Sequence, residues 1–416
     1  MIGRVGTGHL PASAGWLAAL LVAVAGAGVS AETAETPSFS PGTASEARPD
    51  AVSRGDSPSA AADTAGSPVV LRRGWPVMGT LLELTAVAPD SGRARAALAA
   101  GRGEVVRLDS LLSTYRPESE VSRLNAAAGT GAWTELSPAT ARALRKALRW
   151  AERTGGAVDP TVGPLVDAWG FRGRKPSVPD GARLDSARRL VGWEQVETRE
   201  GGRLARLPEE GMRLDFGAVG KGMALERAVD AMREAGAAGG MVDLGGQVSV
   251  FGRPPPMDSD SASTGEGGGG GWRLGIRHPR TDDHLLGTLS LDSGSVATSG
   301  DAEQFFRRDG VRYSHIMDAR SGRPARGVAQ VTVVAADGST ADALATALFV
   351  MGPDRGREWL RRNDRIGPGQ ARLPLVLWVR DPGEGPVWLE HVVRFALDAD
   401  HVALALRHFC VDEVSR

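Results

Sequence analysis

The sequence predicts an α+β fold: one large domain of mixed, mainly antiparallel strands with flanking helices. Three observations carry this. Short β-branched and aromatic runs crowd the second half of the chain, from residue 241 to 336, without regular strand–helix alternation. Apolar residues recur at helical spacing over 92–112, 138–154, 219–236 and 340–351. The 55 glycines and 25 prolines supply many turns between these segments.

At 416 residues the chain can bury a large core, as one big domain or two modest ones. With 49 basic and 50 acidic residues its net charge is −1, which gives no reason to expect nucleic acid or an acidic membrane as a partner. The single cysteine, Cys410, excludes an internal disulfide and a cysteine-based zinc site. Residues 1–31 read as a signal peptide. Arg4 and His9 precede the apolar run GWLAALLVAVAGAGVSA, which closes on the small-x-small triplet Val29-Ser30-Ala31. That run is short for a membrane span, so export with cleavage is preferred to an uncleaved anchor. Residues 32–68 lack periodicity and large apolar side chains and read as a disordered linker, leaving 69–416 as the folded domain.

The domain opens on VMGTLLELTAV (77–87), read as a strand. A helix over 92–112 follows, then one over 138–154 with Ser137 as its N-cap. MVDLGGQVSVFG (241–252) reads as a strand broken by a glycine pair, and WRLGIRHP, GTLSLDSGSVATSG, RYSHIMDA and AQVTVVAA as further short strands. GEGGGGG (265–271) is not a phosphate loop, because neither Lys-Ser/Thr nor a helix follows it; it reads as a flexible insertion.

The helix at 340–351 poses a chemical question. Within STADALATALFVMG (339–352), Asp342 and Thr346 are stacked four residues apart on an otherwise apolar helix. One reading is structural: Ser339 and Asp342 resemble a capping box, and Thr346 returns its hydroxyl to the carbonyl one turn back. The other is that both oxygens face a hard cation such as Mg²⁺.

Four glycine-punctuated segments carry the remaining candidates. In TGGAVDPTVGPLVDAWGF (154–171), Asp159 follows two glycines and is either an acceptor for a ring or amide N–H or an Asx cap. In RLDFGAVGKGMALERAVDAM (213–232), Asp215 and Lys221 flank a glycine-rich turn that opens a helix, a natural phosphate site. SVATSGDAEQFF (295–306) and GVRYSHIMDARSGRPA (310–325) are the third and fourth; the latter presents His315 among turn residues.

The order of these segments resembles the ApbE family, the FAD:protein FMN transferases. The resemblance runs through VMGT (77–80), LLSTYRPESEVSRLN (111–125), GGAVDPTVGPLVDAWGF, DFGAVGKG (215–222), VDLGGQV (242–248), ATSGD (297–301), YSHIMDARSGRP (313–324) and the 339–352 helix. It is strongest over 75–352 and looser beyond.

What the resemblance implies is a single catalytic domain of the ApbE type. Such an enzyme, Mg²⁺-dependent and bacterial, cleaves its substrate FAD, releases AMP and attaches FMN by a phosphoester to Ser or Thr of an acceptor protein. It implies flavin contacts at Met78, Tyr115, the Ala157-Val158-Asp159 turn, Asp215, Lys221 and Ile316. It implies Mg²⁺ ligands in the Ala218 carbonyl, Asp342 and Thr346, which answers the question that the helix poses. An aromatic ring at Tyr115 and a sulfur at Met78 suit a flat, polarizable flavin or adenine. Lys221 is a catalytic candidate for neutralising phosphoryl oxygens, and His315 for taking the acceptor proton or positioning a phosphate.

The implied acceptors are redox proteins at the bacterial membrane with a Ser/Thr-Gly-Ala-Ser/Thr-like motif. The enzyme is then expected in the periplasm or attached to the outer face of the inner membrane. The internal stretch TGAWT (130–134) matches that motif poorly, so self-flavinylation is not expected. Asp243, Gln247, Ala319, Ser321 and Ser339 depart from the family pattern, which bears on metal affinity and acceptor preference. Two alternatives stay open: an FAD pyrophosphatase, in which water replaces the acceptor hydroxyl, and an exported flavin-binding protein.

Overall fold

The computed structural model describes residues 67–173, 175–254, 271–281, 284–363 and 375–381, together with the backbones of 388–394 and 402–406. The expected signal peptide, nearly all of the linker, most of the glycine-rich insertion and Cys410 lie outside the described residues.

Strands β1 (Val69–Val77) and β2 (Thr80–Ala88) form an antiparallel hairpin. The expected single strand at 77–87 therefore begins only at Thr80. Met78 and Gly79 form the two-residue turn, with φ of 52° and 70°. Positive φ at both positions matches the twist of the flanking strands, and a Met there is unusual. Helix α1 (Ser91–Leu112) follows, capped by the Asp90 carboxylate on the Arg93 amide at 2.8 Å. Then come α2 (Glu120–Ala126), β3 (Thr134–Glu135) and α3 (Pro138–Thr154), which has the expected Ser137 cap. Helices α4 (Gly163–Ala168) and α5 (Gly181–Arg189) precede the short strands β4 (Glu197–Arg199) and β5 (Leu204–Arg206), and α6 (Gly220–Glu234) follows.

The glycine pair at 245–246 separates β6 (Gly239–Leu244) from β7 (Gln247–Gly252) as a second tight hairpin, with φ of 63° and 84°. The chain continues through β8 (Trp272–Arg277), β9 (Leu285–Leu291), β10 (Gly294–Gly300), β11 (Phe305–Arg308), β12 (Val311–Ser314), β13 (Met317–Asp318) and β14 (Arg323–Pro324). It closes with β15 (Val328–Ala335), α7 (Gly338–Arg362), β16 (Leu375–Arg380), β17 (Trp388–Arg394) and β18 (Val402–Leu406). Helix α7 is longer than expected, but it breaks its helical dihedrals at Gly352, one residue past the expected end.

Eight strands form the main sheet in the order β1-β2-β6-β7-β10-β15-β16-β17, with antiparallel neighbours. Alternation sorts its side chains onto two faces. Leu82, Leu84, Val242, Leu244, Val331, Val333, Val376 and Trp378 join the core under α1, α6 and α7. Val87, Met241, Val248, Val250, Val334, Leu375 and Leu377 pack with Trp272, Leu274 and Leu289 of β8 and β9. The molecule is α+β, with the sheet covered on both faces. That double cover explains why β15 (VAQVTVVA) is buried at every position.

Candidate active site

The site forms where α6 and α7 begin. Gly222, in the first turn of α6, and Gly338, at the start of α7, meet backbone to backbone. A Cβ on either residue would lie well under 3.0 Å from the other's carbonyl oxygen. Only glycine allows that approach. It brings the Asp342 carboxylate, 1 % exposed, against the α6 N-terminus, where Oδ2 accepts the Gly222 amide at 2.9 Å. Asp342 thus caps the neighbouring helix. Its own helix is capped by Asp337, which accepts the Thr340 amide at 2.9 Å, so the expected Ser339–Asp342 capping box is not formed. The Thr346 hydroxyl lies 3.2 Å from Ser299 Oγ on β10, not in the expected bond to its own helix. Both polar groups on the apolar helix face neighbouring elements.

A second layer braces this crossing. Lys146 of α3 donates to Glu226 Oε2 at 2.7 Å and to Ser339 Oγ at 2.6 Å. Glu226 of α6 accepts the Ser339 amide at 2.8 Å and the Ser339 hydroxyl. Three helices are thereby tied together behind Asp342. Burial pushes the Glu226 carboxyl above its ordinary value, the bond to Asp337 adds to the shift, and the Lys146 ammonium opposes it.

Gln247, the first residue of β7, reaches the same carboxylate: its Nε2 donates to Asp342 Oδ1 at 2.8 Å. Burial pushes the Asp342 carboxyl upward, against the Lys221 ammonium and the Gly222 and Gln247 donors, which favour the ionised form. The two hairpin tips are neighbours here, since the Gly245 amide donates to Leu81 O at 3.0 Å and Gly245 crowds Thr80. Met78, on the other tip, is half-buried against the main core.

Asp215 occupies the loop before α6. Its Oδ1 accepts the Gly217 amide at 2.8 Å and its Oδ2 the Arg172 guanidinium at 2.9 Å. Arg172 also donates to Asp167 Oδ1 at 2.8 Å and to the Thr114 hydroxyl, and lies 5.7 Å from the Tyr115 ring centroid. Tyr115 is 72 % exposed, an aromatic face held over an arginine and open to solvent.

His315 is partly buried, and its Nδ1 lies 3.2 Å from the Gln304 carbonyl. A carbonyl only accepts, so Nδ1 carries the proton and Nε2 is left as the basic nitrogen. Burial lowers the His315 pKa; Glu303 and the Gln304 carbonyl oppose this, and Lys221 adds to it. Lys221 bears electrostatically on both His315 and Asp342, which brings the expected catalytic pair into one neighbourhood.

Asp159 is arranged otherwise. Its Oδ1 accepts the Thr161 amide at 2.8 Å and hydroxyl at 2.6 Å, and its Oδ2 the Trp193 amide at 3.2 Å. The Asx cap is the arrangement found, and burial raises its pKa. Ala157, Val158 and Ile316, at 2 %, 3 % and 8 % exposure, have their side chains in the main hydrophobic core.

The ApbE family model matches residues 78–367. The chain belongs to the ApbE family. A relative from Vibrio cholerae named FAD:protein FMN transferase is 36 % identical over 251 residues, covering 59 % of this chain and 70 % of its own length. One from Treponema pallidum with the same name is 35 % identical over 296 residues, covering 68 % and 80 %. Among solved structures, the ApbE protein of Thermotoga maritima superposes with a TM-score of 0.66 at 31 % identity, covering 77 % of this chain and 96 % of that one. The flavin transferase ApbE of Vibrio cholerae gives 0.63 at 28 % identity, covering 77 % and 97 %.

Within this ApbE domain the donor set fits a hard cation. Asp342 and Thr346 offer a carboxylate and a hydroxyl. The Gly222 amide donates to Asp342 rather than to the carbonyl of Ala218 four residues back. Among the described residues no three His, Cys, Asp or Glu side chains cluster, so the site offers a single carboxylate, and a cation there would take its other ligands from hydroxyl, carbonyl and water oxygens. The sequence reading missed Arg172, the first of three cations in FRGRK (171–175), with nothing local to single it out. It also missed Glu303 and the Lys146–Glu226 brace, which only the helix crossing brings together.

Proposed function

We propose that the protein is a Mg²⁺-dependent FAD:protein FMN transferase. It cleaves the FAD pyrophosphate, joins FMN through a phosphoester to a Ser or Thr hydroxyl of an acceptor protein, and releases AMP. The observation that carries this reading is the Asp342 carboxylate against the α6 N-terminus, beside Lys221 and within reach of the Gln247 amide.

Lys221, in the first turn of α6, attracts the pyrophosphate through its cationic side chain, and the positive end of the helix adds to the pull. Asp342, Thr346 and the Ala218 carbonyl would hold the cation. When bound, Mg²⁺ supplies neutralisation of the charge that builds on the phosphoryl oxygens. Tyr115 offers its open ring to a flat heterocycle, with Arg172 beneath it. His315 Nε2, kept neutral by burial, takes the proton of the acceptor hydroxyl as its oxygen attacks the flavin-side phosphorus. AMP leaves with the bridging oxygen.

The acceptor is proposed to be a redox protein with a Ser/Thr-Gly-Ala-Ser/Thr-like motif, and the enzyme to be exported, on the strength of the 1–31 sequence pattern. No helix among the described residues is long and apolar enough to cross a membrane.

Incubation with FAD, Mg²⁺ and an acceptor-motif peptide, followed by mass spectrometry, tests the reading. Peptide gaining one FMN with equimolar AMP supports it. Free FMN and AMP with unmodified peptide would establish the pyrophosphatase instead.

A further inference from the structure

Gln247 is 3 % exposed, yet its Oε1 has no hydrogen-bond partner. Buried polar groups are almost always satisfied, so an orphaned acceptor calls for an explanation. The nitrogen of the same amide is engaged, donating to Asp342 Oδ1 at 2.8 Å. An ionised carboxylate only accepts, so the nitrogen must face Asp342 and the oxygen must face away.

The β6–β7 turn does not need this side chain. Gln247 pairs with Leu244 as part of the β-ladder, and the turn is set by the positive φ of Gly245 and Gly246. A leucine in that position would keep the ladder and remove the orphan. The amide is therefore held at a cost in hydration, and its two ends point to one purpose.

We propose that Gln247 belongs to the divalent-cation site. Its Nε2 orients the Asp342 carboxylate, and its Oε1 accepts a hydrogen bond from a water bound to the cation. Mg²⁺ keeps several waters when few protein ligands reach it, and those waters are strong donors. An acceptor beyond the ligands themselves then raises affinity by fixing both the carboxylate and the hydration shell. Being neutral, the amide does this without placing a second negative charge beside Asp342. The proposal rests on the cation reading of Asp342 and Thr346 given above.

The test is binding of Mn²⁺, followed by electron paramagnetic resonance of the free ion, with ADP present as a pyrophosphate probe that requires no turnover. Gln247→Leu should bind Mn²⁺ about 10–100-fold more weakly than wild type. Its melting temperature in EDTA should fall modestly, because the buried Asp342 carboxylate loses the Gln247 donor, so affinities are compared where both proteins are folded. Gln247→Asn carries the same amide one methylene short and cannot serve both partners. It should bind about 10-fold more weakly and provides the measurement if the leucine variant does not fold. Wild-type affinity in either folded variant overturns the proposal. Asp342→Asn separates the two layers of the argument. If wild type binds Mn²⁺, Asp342→Asn does not and Gln247→Leu does so normally, only the role of Gln247 falls. If wild type takes up no Mn²⁺, the cation reading falls with it.

Discussion

Gly222 and Gly338 touch backbone to backbone, and the Asp342 carboxylate reaches the Gly222 amide at 2.9 Å because of that contact. The glycines thus set the separation of two helix N-termini, and the separation sets where a carboxylate lies.

Gly222→Ala should force the helices apart, since the new Cβ would meet Gly338 and the Ser339 Cα at 2.7 Å. Overpacking of this kind costs about 1–3 kcal/mol. Urea unfolding measures it. An unchanged midpoint together with normal transfer would show that the crossing is looser than described.

Asp342→Asn should stabilise the cation-free protein while removing its response to Mg²⁺. Burial raises the folded pKa of Asp342, so the ionised form at neutral pH opposes folding, and stability falls as pH rises through that pKa. Asparagine removes the charge and keeps an acceptor for Gly222. Melting in EDTA and across a Mg²⁺ titration checks both halves. A lower melting point in EDTA would assign Asp342 to helix capping alone.

Asp243 lies directly opposite Glu83 across β6 and β2, and Glu83 is paired with Arg72 at 2.9 Å. Burial first, and Glu83 in addition, push the Asp243 carboxyl from 3.8 up to about 6, against the Gly246 amide that favours its charge. The fold therefore prefers this group protonated. Its ionisation costs stability that accumulates between pH 3.8 and about 6 and is complete above. Asp243→Asn keeps the acceptor for Gly246 and should gain about 2–3 kcal/mol at pH 8 and nothing at pH 3. Denaturant curves at the two pH values decide it; equal gains at both would refute the titration.

His315→Gln should lower transfer by about 10²–10⁴-fold while FAD affinity holds. Because burial lowers its pKa, the acid limb of kcat/KM should fall below the ordinary histidine value near 6.5. A limb above that value, or a variant with wild-type rate, would remove His315 as the base.

Arg172→Lys should raise the KM for FAD more than it lowers kcat. Lysine cannot span Asp167, Asp215 and Thr114 together or stack beneath Tyr115. A pure stability loss with unchanged KM would limit Arg172 to holding the loops.

The proposed cation ligands were easier to read in the sequence than their surroundings. Asp342 and Thr346 were legible because polar residues on an apolar helix break its pattern. The cap was misread because Asp337, two residues before Ser339, takes the role by turning its carboxylate onto Thr340. The helices at 92–112 and 138–154 followed from their period and caps, and the structure starts and ends them within one residue of expectation. The Met78-Gly79 turn was hidden because methionine gives no local signal for positive φ, and only the pairing of β1 with β2 imposes it. Arg172 was hidden for a related reason. Its three hydrogen-bond partners are 5, 43 and 58 residues distant in sequence, and one of the three cations in FRGRK (171–175) does not announce them.

The bond between Gly222 and Asp342 spans 120 residues, and that from Lys146 to Ser339 spans 193. Loops of that length close slowly, because their entropy is lost before any contact repays it. A growing chain that has emerged only as far as α6 therefore has its glycine turn and lysine but no carboxylate against them. Competence arrives late, with the synthesis of α7, and a chain cut anywhere before Gly338 has no means of acquiring it.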